Sequence, residues 1–341
     1  MPCPLVILTD FPGKTDLVTK RLLSGSSGKM FWEIWEDAGG DINAKPPVLS
    51  VLPVRPMDSK VESFCCSKKE AEALMPGYSE PLYKAGKYLH PKYLHFLQET
   101  RERLKALEPN VVLALGSFPA WALLGTSKIT SIRGTATASQ TPEGLKVLPT
   151  YHPVTMLRAY DQKYIATVDV MKALREAQTP ELSRPKRQVY ILENRDDIAW
   201  ARSFLSKQRL LSLDIETKLQ QITCLSFATS EKLSVVFPFV AESKPNNSYW
   251  DNPADEIFAW QVVKELCAND SIDKLLQNGV YDIQYLWRVM GIKTRGFRHD
   301  TMLLHHALYM ELPKSLGFMG SIYTNEASWK LMRKWNEKEV K

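Results

Sequence analysis

The chain has 341 residues, enough for roughly two domains at about 150 residues each. It carries 44 Lys and Arg against 38 Asp and Glu, a net charge of +6, with 44% hydrophobic and 24% charged residues. These values exclude a disordered chain, a collagen-like fibre and a small disulfide scaffold. The charge permits nucleic acid as a partner without requiring it.

The N-terminus has no basic segment before its apolar run, so no secretory leader is expected. Residues 5–8, 48–52 and 111–115 are short apolar runs bounded by Pro, Gly or polar residues. Such runs suit a parallel sheet buried on both faces. Residues 91–107, with Leu94, Leu97, Arg101 and Leu104 at helical spacing, predict a helix between the last two. Residues 111–125 form the longest apolar stretch. It is too short for a bilayer and is broken by Gly116 and Pro119, so no membrane partner is expected.

A helical pattern over 161–177 is followed by a polar, proline-containing stretch and then by a strand-like run over 189–192. This predicts a first domain over 1–178, a linker over 179–188 and a second domain over 189–341. The second domain opens with three successive strands, over 210–215, 222–229 and 233–239. Helices over 256–267 and 280–290 follow. The expected class is α/β: a parallel-sheet domain, then a domain with a mixed sheet.

The five cysteines are odd in number, Cys65 and Cys66 are adjacent, and no C-x-x-C pair exists. Reduced thiols in a cytoplasmic protein are expected, and no iron–sulfur cluster.

Asp214 and Glu216 stand at i and i+2 at the polar end of an apolar strand, so their carboxylates share a face. Two neighbouring like charges call for a cation between them, and hard divalent ions take carboxylate oxygens. The alternative is a pair on an edge strand facing water. Further on, a turn at Asn278-Gly279 leads into a helix carrying Asp282, Tyr285 and Leu286. The phrase His299-Asp300-Thr301-Met302 then forms a second strand-to-helix junction.

In this order, the three motifs resemble the proofreading 3′–5′ exonuclease domain of the DEDD nuclease superfamily, which has a ribonuclease H-like fold. The resemblance covers about residues 189–330. It implies a two-metal site for Mg²⁺ or Mn²⁺, with Asp214 on both metals, Glu216 at the metal that activates water and Asp282 on the second. Asn278 and Tyr285 fall where the family meets DNA. The His299–Met302 phrase is implied to be architectural. The family's fourth acid belongs in a Tyr-x-x-x-Asp motif. Here Tyr323 is followed four residues later by Ala327, and Glu337 and Glu339 lack a Tyr at the right distance.

In the first domain, Leu148-Pro-Thr-Tyr-His152-Pro-Val-Thr-Met-Leu-Arg158 follows Arg133-Gly134. Together with Thr9-Asp10-Phe-Pro-Gly13, Gly25-Ser-Ser-Gly28 and Arg55-Pro56, it resembles the uracil-DNA glycosylase superfamily, closest to its family 4 and 5 types, over about residues 4–176. The resemblance implies a base flipped into a pocket. A neutral His152 would donate to the departing base anion. Asp10 would position water or stabilise the sugar cation, and residues 155–158, including Arg158, would lie on the DNA. The family's stacking aromatic falls at Leu23 and its base-reading Asn at Ser50. A leucine stacks poorly, and one hydroxyl cannot read a base as an amide does.

The expected function is DNA processing: a metal-dependent 3′–5′ exonuclease domain fused to a glycosylase-like DNA-binding domain. The alternatives are an active uracil glycosylase and a non-catalytic DNA-binding or polymerase-docking module. The expected partners are single-stranded DNA or 3′ ends and a polymerase domain or subunit. The arrangement resembles the front end of phage-type family A polymerases, in the cytoplasm of a bacterium or an infected host.

Overall fold

The computed structural model describes residues 4–184, 186–244 and 246–326. The described residues divide into two compact units, one of residues 4–183 together with 317–326, the other of residues 184–316.

The first unit is built on β1 (Leu5–Thr9), β2 (Val48–Ser50), β5 (Val111–Leu115), β6 (Thr137–Ala138) and β7 (Lys146–Thr150), with β3 (Cys65–Cys66) and β4 (Tyr88–Leu89) forming a separate two-stranded antiparallel sheet. The sheet order is β2-β1-β5-β7-β6, parallel throughout except for the short edge strand β6. Strand residues alternate between the faces. Val6, Leu8, Val112 and Ala114 enter one core with Phe118 and Trp121. Leu5, Ile7, Val111, Leu113 and Leu115 enter the other with Phe31, Trp35 and Val170. Both faces are thus covered by helices, as the unbroken apolar runs require. The residues that follow β1, β5 and β7 gather at one edge of this sheet, where open parallel sheets bind ligands.

The second unit contains β8 (Gln188–Ile191), β9 (Leu210–Lys218), β10 (Gln221–Ser230), β11 (Leu233–Pro238), β12 (Asp273–Leu276) and β13 (Phe297–Asp300) in the order β13-β12-β9-β10-β11-β8. The hairpins β9–β10 and β10–β11 are antiparallel, while β12 and β13 add in parallel beyond β9. A three-stranded meander extended by two parallel strands is the ribonuclease H-like arrangement. Leu211, Leu213 and Ile215 of β9 point into the core, and Asp214 and Glu216 point out of it. The helix Val280–Met290 follows β12 and buries Leu286 completely.

The expected second domain over 189–341 needs correction at its far end. Residues 317–326 belong to the first unit, held there by side-chain hydrogen bonds from Arg133, Thr135 and Lys172. Ala327, Glu337 and Glu339 lie outside the described residues. Among the described residues, no helix is long and apolar enough to cross a membrane.

Candidate functional site

In the first unit, Asp10 leaves the end of β1 and His152 follows β7 by two residues. Both line one cleft of about 330 Å³, together with Thr9, Leu23, Arg55 and Val154. Gly116, just after β5, lies between them with φ +100°. A Cβ there would stand 2.9 Å from the His152 Cβ and 3.5 Å from Asp10 Oδ1. Only a glycine leaves room for the two functional groups to flank this turn.

The His152 Nδ1 accepts the N–H of Val154 at 3.2 Å. The proton of the neutral ring therefore sits on Nε2, which is 3.3 Å from Thr9 Oγ1. Burial pushes the His152 pKa down to about 4, so at neutral pH it is an uncharged N–H donor facing the cleft. Asp10 Oδ1 is buried with no hydrogen-bond partner. Burial pushes its pKa up to about 7; Lys84 opposes the rise and Glu62 adds to it. An uncharged imidazole donor beside a carboxyl poised near neutrality can serve general acid–base chemistry.

Asp16 shapes the same cleft, although sequence reasoning passed over it. Its Oδ1 accepts the N–H of Ser24 at 2.8 Å and the Ser24 hydroxyl at 2.7 Å, and its Oδ2 accepts Gly13 N–H at 2.8 Å. Burial raises its pKa, but these hydrogen bonds outweigh that and leave it below the ordinary carboxylate range. The clamp fixes the turn in which Leu23 adopts φ +54° and lines the cleft. Arg55 donates to Pro12 O at 3.2 Å and also lines the cleft. Ser50 ends β2 beside Thr9 of β1. Arg158 is exposed beyond the short helix Pro153–Met156.

In the second unit, Asp282 Oδ1 accepts the N–H of Ile215 at 3.2 Å. Ile215 stands between Asp214 and Glu216, so the helix brings the third acid against the pair. Burial, then Asp282, then Glu216 push the Asp214 pKa up to about 6. Asp282 is raised chiefly by burial, opposed by the Ile215 N–H. Carboxylate oxygens are the donor set a hard divalent ion takes. Among the described residues, however, no group of three or more His, Cys, Asp or Glu side chains is arranged to hold a metal ion. Asp282 uses one carboxylate oxygen to fasten its helix to the backbone of β9, between the other two acids.

Asn278, exposed, takes φ +55° at the turn before the helix. Asp300 holds that turn, accepting Asn278 N–H at 3.1 Å and Gly279 N–H at 2.9 Å, and also caps its own helix through Met302 N–H at 2.8 Å. Tyr285 packs against the core, its ring 5.8 Å from that of Tyr281. Tyr281 Oη lies 3.1 Å from Thr217 Oγ1, next to Glu216, a contact the motif spacing did not reveal.

Comparison with known proteins places residues 2–175, just over half of the chain, within the uracil DNA glycosylase superfamily. The chain belongs to that superfamily. No curated protein matches it. Among solved structures, the EXD2 exonuclease domain soaked in Mn and GMP is 16% identical, covers 36% of this chain and 61% of its own length, and has a TM-score of 0.27. The Trypanosoma brucei RNase D complex with RNA U12 is 18% identical, covers 33% of this chain and 37% of its own length, and has a TM-score of 0.26. The chain thus spans less than two thirds of either structure.

Proposed function

We propose that this chain processes DNA, shortening 3′ ends in its second unit and holding an unpaired nucleotide in the glycosylase-like cleft of its first. The observation that carries the exonuclease reading is the Asp214, Glu216 and Asp282 cluster. Three acids from one strand and one helix come together, Asp282 bonding the Ile215 N–H between the other two, and their charges add to burial in raising the Asp214 pKa to about 6. Such crowding is relieved by a bound cation. Asp214, Glu216 and Asp282 would hold Mg²⁺ or Mn²⁺, which would supply Lewis-acid chemistry for phosphodiester hydrolysis. Asn278 and Tyr285 are the DNA contacts of this reading, beside the 3′ end.

The test is an end-labelled single strand incubated with Mn²⁺ and the whole chain. Stepwise loss of 3′ nucleotides is expected, reduced by several orders of magnitude in Asp214→Ala. Shortening that persists unchanged in Asp214→Ala rejects the reading.

A second reading, base excision in the first unit, is favoured by one specific observation. His152, with its Nε2–H, and Asp10, whose buried Oδ1 has no hydrogen-bond partner, line the same cleft. His152 is then the donor to the departing base and Asp10 the group that handles water, with Arg158 on the DNA backbone. This reading keeps the likeness to family 4 and 5 glycosylases. A polymerase domain or subunit, in the cytoplasm of a bacterium or a phage-infected cell, remains the protein partner we propose.

A further inference from the structure

The family match ends at residue 175, yet the first unit is completed by a segment that follows the whole of the second. Residues 317–326 are held there by charged groups that are themselves buried. Lys172 Nζ, on a residue 2% exposed, donates to Gly134 O at 3.0 Å and Thr324 O at 2.7 Å, and also to Ser321 O. Arg133, also 2% exposed, donates through one terminal nitrogen to Ser321 Oγ at 2.9 Å. Thr135 Oγ1 donates to Glu326 O at 2.9 Å, and Asn325 Nδ2 to Glu176 Oε1 at 3.0 Å.

The same arginine continues inward. Its Nε donates to Asp169 Oδ2 at 2.8 Å, and its other terminal nitrogen pairs with Asp169 Oδ1. Asp169 Oδ2 also accepts the Thr150 hydroxyl at 2.7 Å. Thr150 ends β7 two residues before His152, and its carbonyl accepts the N–H of Gly116 at 2.8 Å. Gly116 is the residue that packs against both His152 and Asp10. A run of polar contacts therefore joins the returning segment to the Gly116 turn, against which His152 packs. A buried Arg–carboxylate pair of this kind is costly unless every member is satisfied, and Ser321 satisfies one of the arginine's remaining donors.

We propose that residues 317–326 form a strap that positions His152 through Arg133, Asp169 and Thr150. The three are positioning residues, since none of them lines the cleft. The inference concerns the placement of His152 and does not depend on which base the cleft takes.

The test uses the full chain carrying Lys172→Met, which keeps an unbranched side chain but cannot hold the strap carbonyls. Amide hydrogen exchange and the ring NMR signals of His152 are the readouts. Exchange is expected to rise at least about tenfold in residues 317–326 and also in 150–156, with 111–115 unchanged, and the His152 ring signals are expected to shift. Faster exchange confined to the strap, with His152 unmoved, overturns the proposal. Should Lys172→Met fail to fold, Ser321→Ala removes only the arginine contact. It must then shift the His152 ring signals from their wild-type positions, and their constancy also overturns the proposal. Neither readout requires DNA, so a failed exonuclease or excision assay leaves this result standing.

Discussion

The Asp282 carboxylate oxygen and the Ile215 backbone N–H are 3.2 Å apart, and this hydrogen bond fastens a helix to the strand that carries the other two acids. Residues 67 positions apart are joined here, and the joint lies between two carboxylates. Asp282→Ala should cost about 1–2 kcal/mol, because a buried N–H loses its acceptor. Asp282→Asn keeps an acceptor oxygen, removes a charge and should stay within about 0.5 kcal/mol of the wild type. Urea unfolding of the two variants, followed by a probe in the second unit, checks this. Equal losses in both would show that the hydrogen bond is not what Asp282 contributes.

Asp10 makes the first unit sensitive to pH. Its folded pKa, near 7, lies above the ordinary value of 3.8. The protonated form is therefore the one the fold tolerates. The stability it allows is complete below about pH 4 and declines as pH rises through 7. Asp10→Asn should flatten that decline and stabilise the first unit at pH 8 by about 2 kcal/mol, with no gain at pH 4. Chemical denaturation at the two pH values decides; a gain of equal size at pH 4 would contradict the argument.

Gly116 admits no side chain. At φ +100° an alanine is strained, and its Cβ would meet the His152 Cβ at 2.9 Å. Gly116→Ala should destabilise by about 1–3 kcal/mol and displace the His152 ring. A variant with the wild-type denaturation midpoint would show that the turn is looser than this geometry.

Uracil excision should be weak. Leu23 is buried at the cleft wall, where a stacking ring is expected, and Ser50 ends β2 where an amide is expected. A site without the groups that read a base loses discrimination by orders of magnitude. Alkali treatment of a uracil-containing single strand after incubation should reveal little cleavage. Strong cleavage abolished by His152→Ala would establish the excision reading instead.

Much of this architecture is legible in the residues because local pattern and global fold agree. The apolar runs of β1, β5 and β9 announce themselves, and so does the Asp214 to Glu216 spacing on one strand face. β12 does not: in Asp273–Leu276 a lysine takes an inward position. Lys274 is fully buried only because its ammonium bonds to backbone carbonyls, that of Asn269 and, at 2.8 Å, that of Ile272. No local pattern signals that. The clamp of Asp16 on Ser24 and the approach of Gly116 to His152 depend on contacts between turns that are distant in sequence or shaped by backbone torsion. Nor does Tyr323 in the sequence indicate that its helix returns to the first unit. That becomes visible only once Arg133 and Lys172 are seen buried and in need of oxygen partners.

The return of the chain also imposes an order on its making. The 133 residues of 184–316 must be synthesised before Gly317 exists. At ordinary elongation rates that is a delay on the order of ten seconds. During that interval the nascent first unit holds Arg133, Asp169 and Lys172 without Ser321 or Thr324. The sheet around β1 and β5 can form early, but the ammonium of Lys172 has to stay hydrated until the ribosome has delivered the far end of the second unit. The part of the chain made first is therefore among the last to finish folding.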